Sequence, residues 1–176
     1  MSLTGFPPVS APDALVLILG SMPGAASLRA AQYYAHPQNA FWRIMGDLVG
    51  AGPGLPYELR VRQLIACKIA VWDVVKSCIR PGSGDDKIVE GSITPNDFNG
   101  FFQRHPRVQC VYFNGSKAER VFRKYVVPTL QETATRLEFV RLPSTSPAHA
   151  SRSYQQKLAE WRAAIKPKLG LGRDAR

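Results

Sequence analysis

The chain has 176 residues, 45% of them hydrophobic, and its 23 Lys and Arg against 13 Asp and Glu give a formal net charge of +10. This length and composition predict one domain over residues 1–176, and the absence of a long apolar run excludes a membrane span. The basic excess fits a polyanionic partner and fits a solvated basic surface equally well.

Compartment and cofactor use follow from the N-terminus and the cysteines. The first residues lack the basic and then apolar layout of a signal peptide, so we expect a cytoplasmic protein. The three cysteines, Cys67, Cys78 and Cys110, are widely spaced and odd in number, which argues against a disulfide framework or a paired-cysteine metal site. Three thiols are also fewer than the four of a common iron–sulfur site. We therefore expect no metal and no cofactor.

Apolar runs alternate with segments of helical periodicity along the chain. Four strands are predicted, at residues 14–19, 69–75, 108–113 and 137–142. Five helices are predicted, near residues 40–49, over 57–67, from an N-cap at Thr94 to His105, from a capping box at 116–119, and from Tyr154 to Ile165. This alternation predicts an α/β fold with three layers, α/β/α, around a four-stranded and mostly parallel central sheet. Residues 76–91 are predicted to be a loop, and residues 170–176 to fray.

The loops that follow the four strands are the expected place for a functional site. They span residues 20–39, 73–91, 114–116 and 143–151. In open α/β sheets ligands bind at the carboxyl ends of the strands, where these loops gather. The first of them combines a Gly/Pro turn with a tyrosine pair, one histidine and one asparagine.

Two of these loops resemble the motifs of a known family. Residues 20–24 (GSMPG) with 34–42 (YAHPQNAFW) are similar to the first motif of the uracil-DNA glycosylase superfamily, closest to its mismatch-specific and hypoxanthine-DNA glycosylase branches. Residues 142–150 (LPSTSPAHA) resemble the second motif, and residues 113–118 (FNGSKA) resemble the strand-to-helix segment between them. The resemblance implies a monomeric base-excision repair glycosylase that needs no metal or cofactor and acts on double-stranded DNA containing a deaminated base.

Two departures from the family pattern indicate which branch of the family the sequence resembles most. Met22 stands where mismatch-specific relatives have an asparagine and uracil-specific ones an aspartate to hold the attacking water, and Leu142 replaces the usual histidine or asparagine of the second motif. Both absences match the hypoxanthine branch, in which an asparagine just after the first motif is the main catalytic residue. The resemblance assigns that role to Asn39 and favours hypoxanthine over uracil.

The predicted chemistry suits these residues. Breaking an N-glycosidic bond passes through an oxocarbenium-like state, with negative charge developing on the departing base. An asparagine is no base near neutral pH, but it can orient a water and donate to the substrate. Backbone N–H groups of Gly20, Ser21, Met22 and Gly24 are expected to stabilise charge on the base.

Further base contacts are predicted, each with a structural alternative. Tyr34 matches the aromatic residue that stacks on the flipped base in mismatch-specific relatives, or else it is a half-buried core tyrosine, as its neighbour Tyr33 is expected to be. Asp73 and Asn114 end strands at the expected site, so they either touch the base or cap local turns.

DNA contacts are predicted in both motif loops. Pro23 and Gly24 belong to the first motif. Ser144 and Ser146 resemble the phosphate-gripping serines of the second motif, with loop capping as the alternative.

His149 or Arg152 is expected to contact the DNA duplex, whereas His36 and His105 are not expected to do so. Residues 147–150 are small for the wedge that relatives insert into the duplex, so His149 or Arg152 is expected to share that work. His36 is as readily a structural residue of its loop as an acid, and His105 is predicted at the surface.

Three other functions stay open. One is a mismatch glycosylase acting on uracil or thymine opposite guanine. Another is an inactive DNA-binding module of the same fold, since Met22 and Leu142 remove two expected catalytic groups. A small-molecule α/β hydrolase is less favoured, because the sequence has no GxSxG elbow.

Overall fold

The computed structural model describes residues 2–82 and 84–170. It contains seven strands among these residues: β1 (Ser2–Thr4), β2 (Val16–Gly20), β3 (Ile69–Asp73), β4 (Val75–Ile79), β5 (Thr94–Pro95), β6 (Cys110–Asn114) and β7 (Glu138–Leu142). The α-helices of the same residues are α1 (Ala25–Ala30), α2 (Phe41–Val49), α3 (Tyr57–Ala66), α4 (Phe98–Arg104), α5 (Ser116–Val121) and α6 (Tyr154–Lys168). From residue 171 on, the predicted frayed end lies outside the described residues.

The central sheet has the strand order β3-β2-β6-β7, and all of its pairings are parallel. Strands β2 and β3 are buried along their whole length, as the continuous apolar runs of a doubly covered parallel sheet require. The register places Gly20 beside Asp73 and Asn114 beside Leu142 at the carboxyl edge. The four predicted strands and their parallel sheet are confirmed.

Helices cover both faces of this sheet. On one face Phe41 of α2 packs edge-on against Trp161 of α6, with ring centroids 6.2 Å apart. On the other face Phe98 of α4 packs against Trp72 of β3, and Phe122, which follows α5, packs against Phe113 of β6, at 5.1 and 5.2 Å. The aromatic side chains of the two faces thus bury the sheet between helical layers, and the predicted three-layer architecture is confirmed.

A second, antiparallel sheet corrects the prediction that residues 76–91 form a loop. Strand β4 lies between β1 and β5. Val75 and Cys78 are buried, whereas Lys76 and Ile79 are exposed, and the pairing with β5 shifts register between Val75 and Ser77. The sequence hid this strand because it follows β3 after only one residue and because its polar residues Lys76 and Ser77 are typical of a loop.

The N-terminal caps of two helices, α4 and α5, differ from prediction. The N-cap of α4 is Asp97, whose carboxylate accepts from the Gly100 N–H at 3.0 Å, while Thr94 belongs to β5. The residue before α5 is Gly115 and no side chain caps it, so the predicted capping box at 116–119 is wrong. A true capping box opens α6, where Ser153 and Gln156 exchange hydrogen bonds.

The N-terminal segment lies against the elements that carry the site. Strand β1 pairs with β4 as far as Ile79, and the Phe6 carbonyl accepts from the Trp72 indole N–H at 3.0 Å. The same segment buries His105, whose Nε2 lies 2.9 Å from Ser10 Oγ and whose ring stacks on Phe101. The prediction that His105 is at the surface is therefore wrong, because its cover comes from the distant start of the chain.

Helix α1 was also missed, since its six residues lie in a segment that reads as loop. No helix among residues 2–82 and 84–170 combines the length and the apolar character that crossing a bilayer requires. In the same residues no group of three or more His, Cys, Asp or Glu side chains is arranged to hold a metal ion.

Candidate active site

The first loop (residues 20–24) leaves strand β2 with its carbonyl groups already engaged. They accept hydrogen bonds from the β3–β4 region: Gly20 O from Val74 N at 2.9 Å, Ser21 O from Val75 N at 3.0 Å, and Pro23 O from Arg80 Nη2 at 2.7 Å. The N–H groups of Ser21, Met22 and Gly24 donate to no protein acceptor among the described residues. The loop therefore keeps its donors available, as an oxyanion-type site requires.

Met22 contributes to the site through its backbone only. Its side chain is 5% exposed and belongs to the hydrophobic core. The thioether is thus a packing group, and the expected contact of the Met22 N–H with a base stays a prediction.

Gly20 lets two polar side chains approach each other over the first loop. A Cβ atom at this position would overlap Asp73 Oδ1 and lie 3.1 Å from the Tyr34 hydroxyl. Asp73 is 4% exposed, and its Oδ2 atom has no hydrogen-bond partner among the described residues. The Tyr34 hydroxyl oxygen is also buried and has no hydrogen-bond partner in the described part of the chain. Two buried polar groups without protein partners, meeting at a strand-end loop, indicate a ligand site.

Burial changes the acid–base properties of both groups. Burial raises the pKa of Asp73 to about 7. The negative charge of Asp85 contributes to this rise, and the positive charge of Arg80 opposes it. Near neutral pH this carboxyl can therefore be either a hydrogen-bond donor or an acceptor. Burial also raises the pKa of the Tyr34 hydroxyl well above its ordinary value, so Tyr34 stays neutral.

The ring of Tyr34 is fixed by its backbone and by one aromatic neighbour. Its φ of +54° is in the left-handed region, which is unusual for tyrosine. The ring stacks on Phe41, with centroids 4.0 Å apart and an angle of 20° between the planes. Phe41 therefore covers one face of the ring, and a base can stack only on the other. Tyr33, by contrast, is buried, as expected.

Asn39 lies between the tyrosine pair and helix α2. Its Oδ1 accepts from the Phe41 N–H at 3.0 Å, and its own N–H donates to the His36 carbonyl at 2.9 Å. Its Nδ2 donates to no acceptor in the described part of the chain. Asn39 thus anchors the start of α2, and its side-chain amide donor is not used by the described residues. His36 is exposed and its Nδ1 accepts from the Gln38 N–H, which fits the structural alternative for this residue.

Asn114 joins the two motif loops instead of standing free. Its Oδ1 accepts from the Thr145 N–H and its Nδ2 donates to Thr145 Oγ1, both at 2.9 Å. The Thr145 carbonyl in turn accepts from the Ala40 N–H at 3.0 Å, next to Asn39. Thr145 is buried, and sequence reasoning missed it because a threonine in a Ser/Pro loop has no distinctive pattern.

The second loop (residues 143–151) is packed closely against the strand ends. Gly115 has a φ of +93°, and a Cβ atom there would lie 2.9 Å from Ser144 Cβ. Ser144 Oγ accepts from the Ser146 N–H, and Ser146 Oγ from the Ala148 N–H, each at 3.2 Å. Both serines therefore cap the loop, and their hydroxyl protons remain free to bind an acceptor.

The far end of the second loop is held by helix α6. The buried ammonium group of Lys157 donates to the His149 carbonyl at 2.8 Å and to the Ser146 carbonyl at 3.4 Å. His149 Nδ1 is buried without a partner among the described residues, and Arg152 forms an ion pair with Glu160. Lys157 was not predicted, because a lysine on a polar helix gives no sign of burial.

Comparison with known proteins agrees with this geometry. The family model of the uracil DNA glycosylase superfamily matches residues 7–170. The chain belongs to the uracil DNA glycosylase superfamily.

Relatives within the superfamily are similar over much of the chain. A protein from Methanosarcina barkeri named hypoxanthine DNA glycosylase is 41% identical over 119 residues, which cover 67% of this chain and 74% of the relative. A protein of the same name from Methanosarcina acetivorans is 36% identical over 163 residues, covering 92% and 97%. The solution NMR structure of a candidate uracil DNA glycosylase from Methanosarcina acetivorans is 34% identical, with a TM-score of 0.75 over 96% of this chain and 99% of that one.

In this member of the uracil DNA glycosylase superfamily, the predicted base-binding residues gather at one edge of the sheet. The register and the first loop bring Gly20, Asp73 and Tyr34 together, and Asn114 ends the neighbouring strand. Two charged residues at the first loop, Arg80 and Asp85, were not predicted, since the segment 76–91 was interpreted as a plain loop.

Proposed function

We propose that this protein is a monofunctional DNA glycosylase that removes hypoxanthine from deoxyinosine in double-stranded DNA. The observation that carries the proposal is the pair of buried, unpartnered groups of Asp73 and Tyr34 above Gly20, in a chain whose relatives are named hypoxanthine DNA glycosylase. One domain over residues 1–176, a monomeric state, a cytoplasmic location and independence of any cofactor belong to the same proposal.

Recognition begins when the damaged nucleotide leaves the duplex, because its glycosidic bond is inaccessible inside the stack. Hypoxanthine presents acceptors at O6, N7 and N3 and a donor at N1–H. The neutral Tyr34 hydroxyl can donate to one acceptor, and Asp73 can accept from N1–H or, when protonated, donate to an acceptor. The face of the Tyr34 ring opposite Phe41 supports the flipped base by stacking.

Bond cleavage then needs positioning more than nucleophile strength. Water attacks C1′ while the C1′–N9 bond breaks, and the bonding electron pair leaves with the base, which takes up a proton. Asn39 is placed to orient that water or the sugar through its free amide. The N–H groups of Ser21, Met22 and Gly24 support negative charge on the departing base.

The DNA backbone is held by the two motif loops in this proposal. Pro23 and Gly24 approach the strand near the lesion, and the hydroxyl protons of Ser144 and Ser146 reach phosphate oxygens. His149 and Arg152 face the duplex beyond the second loop. Asn114 acts on the base only through the donor and acceptor capacity that its bonds to Thr145 leave free.

The test is cleavage of end-labelled duplexes that carry one deoxyinosine, deoxyuridine or mismatched thymidine, with alkali to break the abasic site. We expect the wild type to release hypoxanthine, and Asn39→Ala to lose about 10²-fold or more in single-turnover rate with DNA binding retained. Gln38→Ala, an exposed neighbour in the same loop, is the matched control and should keep the wild-type rate.

Each alternative gives a different pattern in this assay. Release of uracil or thymine opposite guanine, without release from deoxyinosine, would identify a mismatch glycosylase instead. DNA binding without release from any substrate would identify an inactive binding module.

A further inference from the structure

Two oppositely charged side chains contact the first loop on either side of Met22. Arg80 Nη2 donates to the Pro23 carbonyl at 2.7 Å, and Asp85 Oδ2 accepts from Ser21 Oγ at 2.5 Å. Both follow strand β4, outside the two motifs that mark the family. Residues 21 and 23 are therefore fixed from the same segment, with the unbonded N–H of Met22 between them.

The guanidinium group of Arg80 is an unusual buried cation. Arg80 is 5% exposed, and no carboxylate lies within ion-pair distance of it among the described residues. Its Nε donates to the Gly82 carbonyl at 3.2 Å, while Nη1 is buried and has no hydrogen-bond partner among residues 2–82 and 84–170. Burying a cation with an unsatisfied donor costs stability, so its retention points to a task at the site.

Asp73 is the buried group that this cation and Asp85 act upon. The first loop and the following residues place Gly20 and the neutral Tyr34 and Tyr33 hydroxyls near Asp73. The β5–α4 connection contributes Asn96, whose Nδ2 donates to the Asp73 carbonyl oxygen at 2.8 Å. Burial raises the pKa of the Asp73 carboxyl most, the negative charge of Asp85 raises it further, and the positive charge of Arg80 lowers it. The two charges therefore act on the carboxyl with opposite sign.

Resting on the proposed glycosylase function, we propose that Arg80 and Asp85 are positioning residues that brace the first loop and together decide whether Asp73 donates a hydrogen bond to the bound base or accepts one. Neither residue needs to touch the base. The pair acts through the loop geometry and through the charge state of Asp73.

This role predicts the direction in which each substitution shifts the pKa of Asp73. Asp85 raises the pKa of Asp73 and Arg80 lowers it. Replacing Asp85 by Asn keeps an oxygen for the Ser21 hydroxyl and removes the negative charge, so Asp73 should ionise at lower pH. Replacing Arg80 by Gln removes the positive charge, so Asp73 should ionise at higher pH. Replacing a residue that only stabilises the fold would change the excision rate without moving the midpoint of its pH profile.

The experiment measures single-turnover excision of hypoxanthine from pH 5.5 to 9 for the wild type, Asp85→Asn and Arg80→Gln. We expect the midpoint of the pH profile to move down in the first variant and up in the second, each by about half a unit or more. Arg80→Lys keeps the charge and should return the midpoint toward that of the wild type. Asp86→Asn, an exposed neighbour of Asp85, is the matched control.

A second readout does not need activity. The Asp73 carboxyl is titrated by NMR in the free protein, with Asp73→Asn used to assign its signal, and the same opposite displacements are expected. Midpoints that move in the same direction, or not at all, in an active enzyme overturn the inference and leave the proposed function intact. An inactive wild type with opposite displacements overturns the proposed function and supports the charge coupling.

Discussion

The space above Gly20 determines how the site residues meet. Asp73 Oδ1 and the Tyr34 hydroxyl both occupy the volume that a side chain at position 20 would fill. Sequence reasoning selected all three residues, from their strand-end positions and from the motif. It could not show that they meet, because the meeting depends on the β2–β3 register and on the left-handed backbone of Tyr34.

A single methyl group at this position should therefore damage the site. Gly20→Ala is expected to displace Asp73, destabilise the fold by ~1–3 kcal/mol and lower the excision rate, because the added Cβ overlaps a buried carboxylate. Urea unfolding and single-turnover cleavage measure the two effects. Gly54→Ala is the control, since a Cβ there meets nothing within 4 Å. Unchanged excision in Gly20→Ala would contradict the described contact.

Asp73 also gives the stability of the protein a distinctive pH dependence. Its pKa is raised from 3.8 to about 7 in the folded state, so the folded protein keeps a proton that the unfolded chain releases. Stability should fall as the pH rises from about 4 to about 7 and level off above. We expect Asp73→Asn to gain up to roughly 4 kcal/mol relative to the wild type over that range.

Urea unfolding at a series of pH values measures this difference. Asp13→Asn is the comparison, because the ion pair with Lys68 lowers the pKa of Asp13. The contribution of Asp13 to stability is lost only below pH 4, so this variant should differ from the wild type by a constant amount between pH 5 and 8. Parallel curves for Asp73→Asn and the wild type would argue against a raised pKa at Asp73.

At the level of elements, a chain of hydrogen bonds ties the two motif loops together. It runs from Asn114 through Thr145 to Ala40 at the start of α2, next to Asn39. The sequence contains both motifs but not the connection, since residues 114 and 145 come together only when β6 and β7 pair. The second loop thereby sets where helix α2 begins.

Breaking this connection should lower both stability and activity. Thr145→Val keeps the shape and the backbone bond but removes the acceptor for Asn114 Nδ2, at an expected cost of ~1–2 kcal/mol. A double-mutant cycle with Asn114→Ala should give a coupling energy of about 1 kcal/mol. Thr4→Val, at an exposed threonine whose hydroxyl forms no hydrogen bond among the described residues, controls for the substitution itself. Additive effects at positions 114 and 145 would show that the two side chains do not cooperate.

The prediction of strands and helices was correct where one sequence pattern, such as an apolar run, covered the whole element. It was wrong where the patterns of two neighbouring elements overlapped. The buried runs of β2 and β6 and the apolar face of α2 gave correct elements. Strand β4 was not recognised because it follows β3 after only one residue. The N-cap of α4 was placed three residues too early because Thr94-Pro95 is typical of a helix start. Such errors matter here, since β4 leads directly to Arg80.

On the scale of the whole molecule, the net charge of +10 predicts that the affinity for duplex DNA depends on the salt concentration. Binding to duplex DNA should weaken about tenfold or more between 50 and 200 mM salt, because phosphate contacts release counterions. Single-turnover rates at saturating protein should change little. Fluorescence anisotropy and cleavage assays measure the two quantities. Affinity that does not respond to salt would favour the small-molecule hydrolase alternative.

The antiparallel pairing of β1 with β4 has a practical consequence for protein engineering. Ser2 pairs with Ile79, the residue just before Arg80, so the start of the chain emerges close to the brace of the first loop. A purification tag or fusion partner joined there would sit near the first loop, where the proposed function places the flipped base. Immobilisation for surface-based kinetics is better made through a thiol engineered at an exposed position away from β1 and β4 than through the end of the chain that precedes β1.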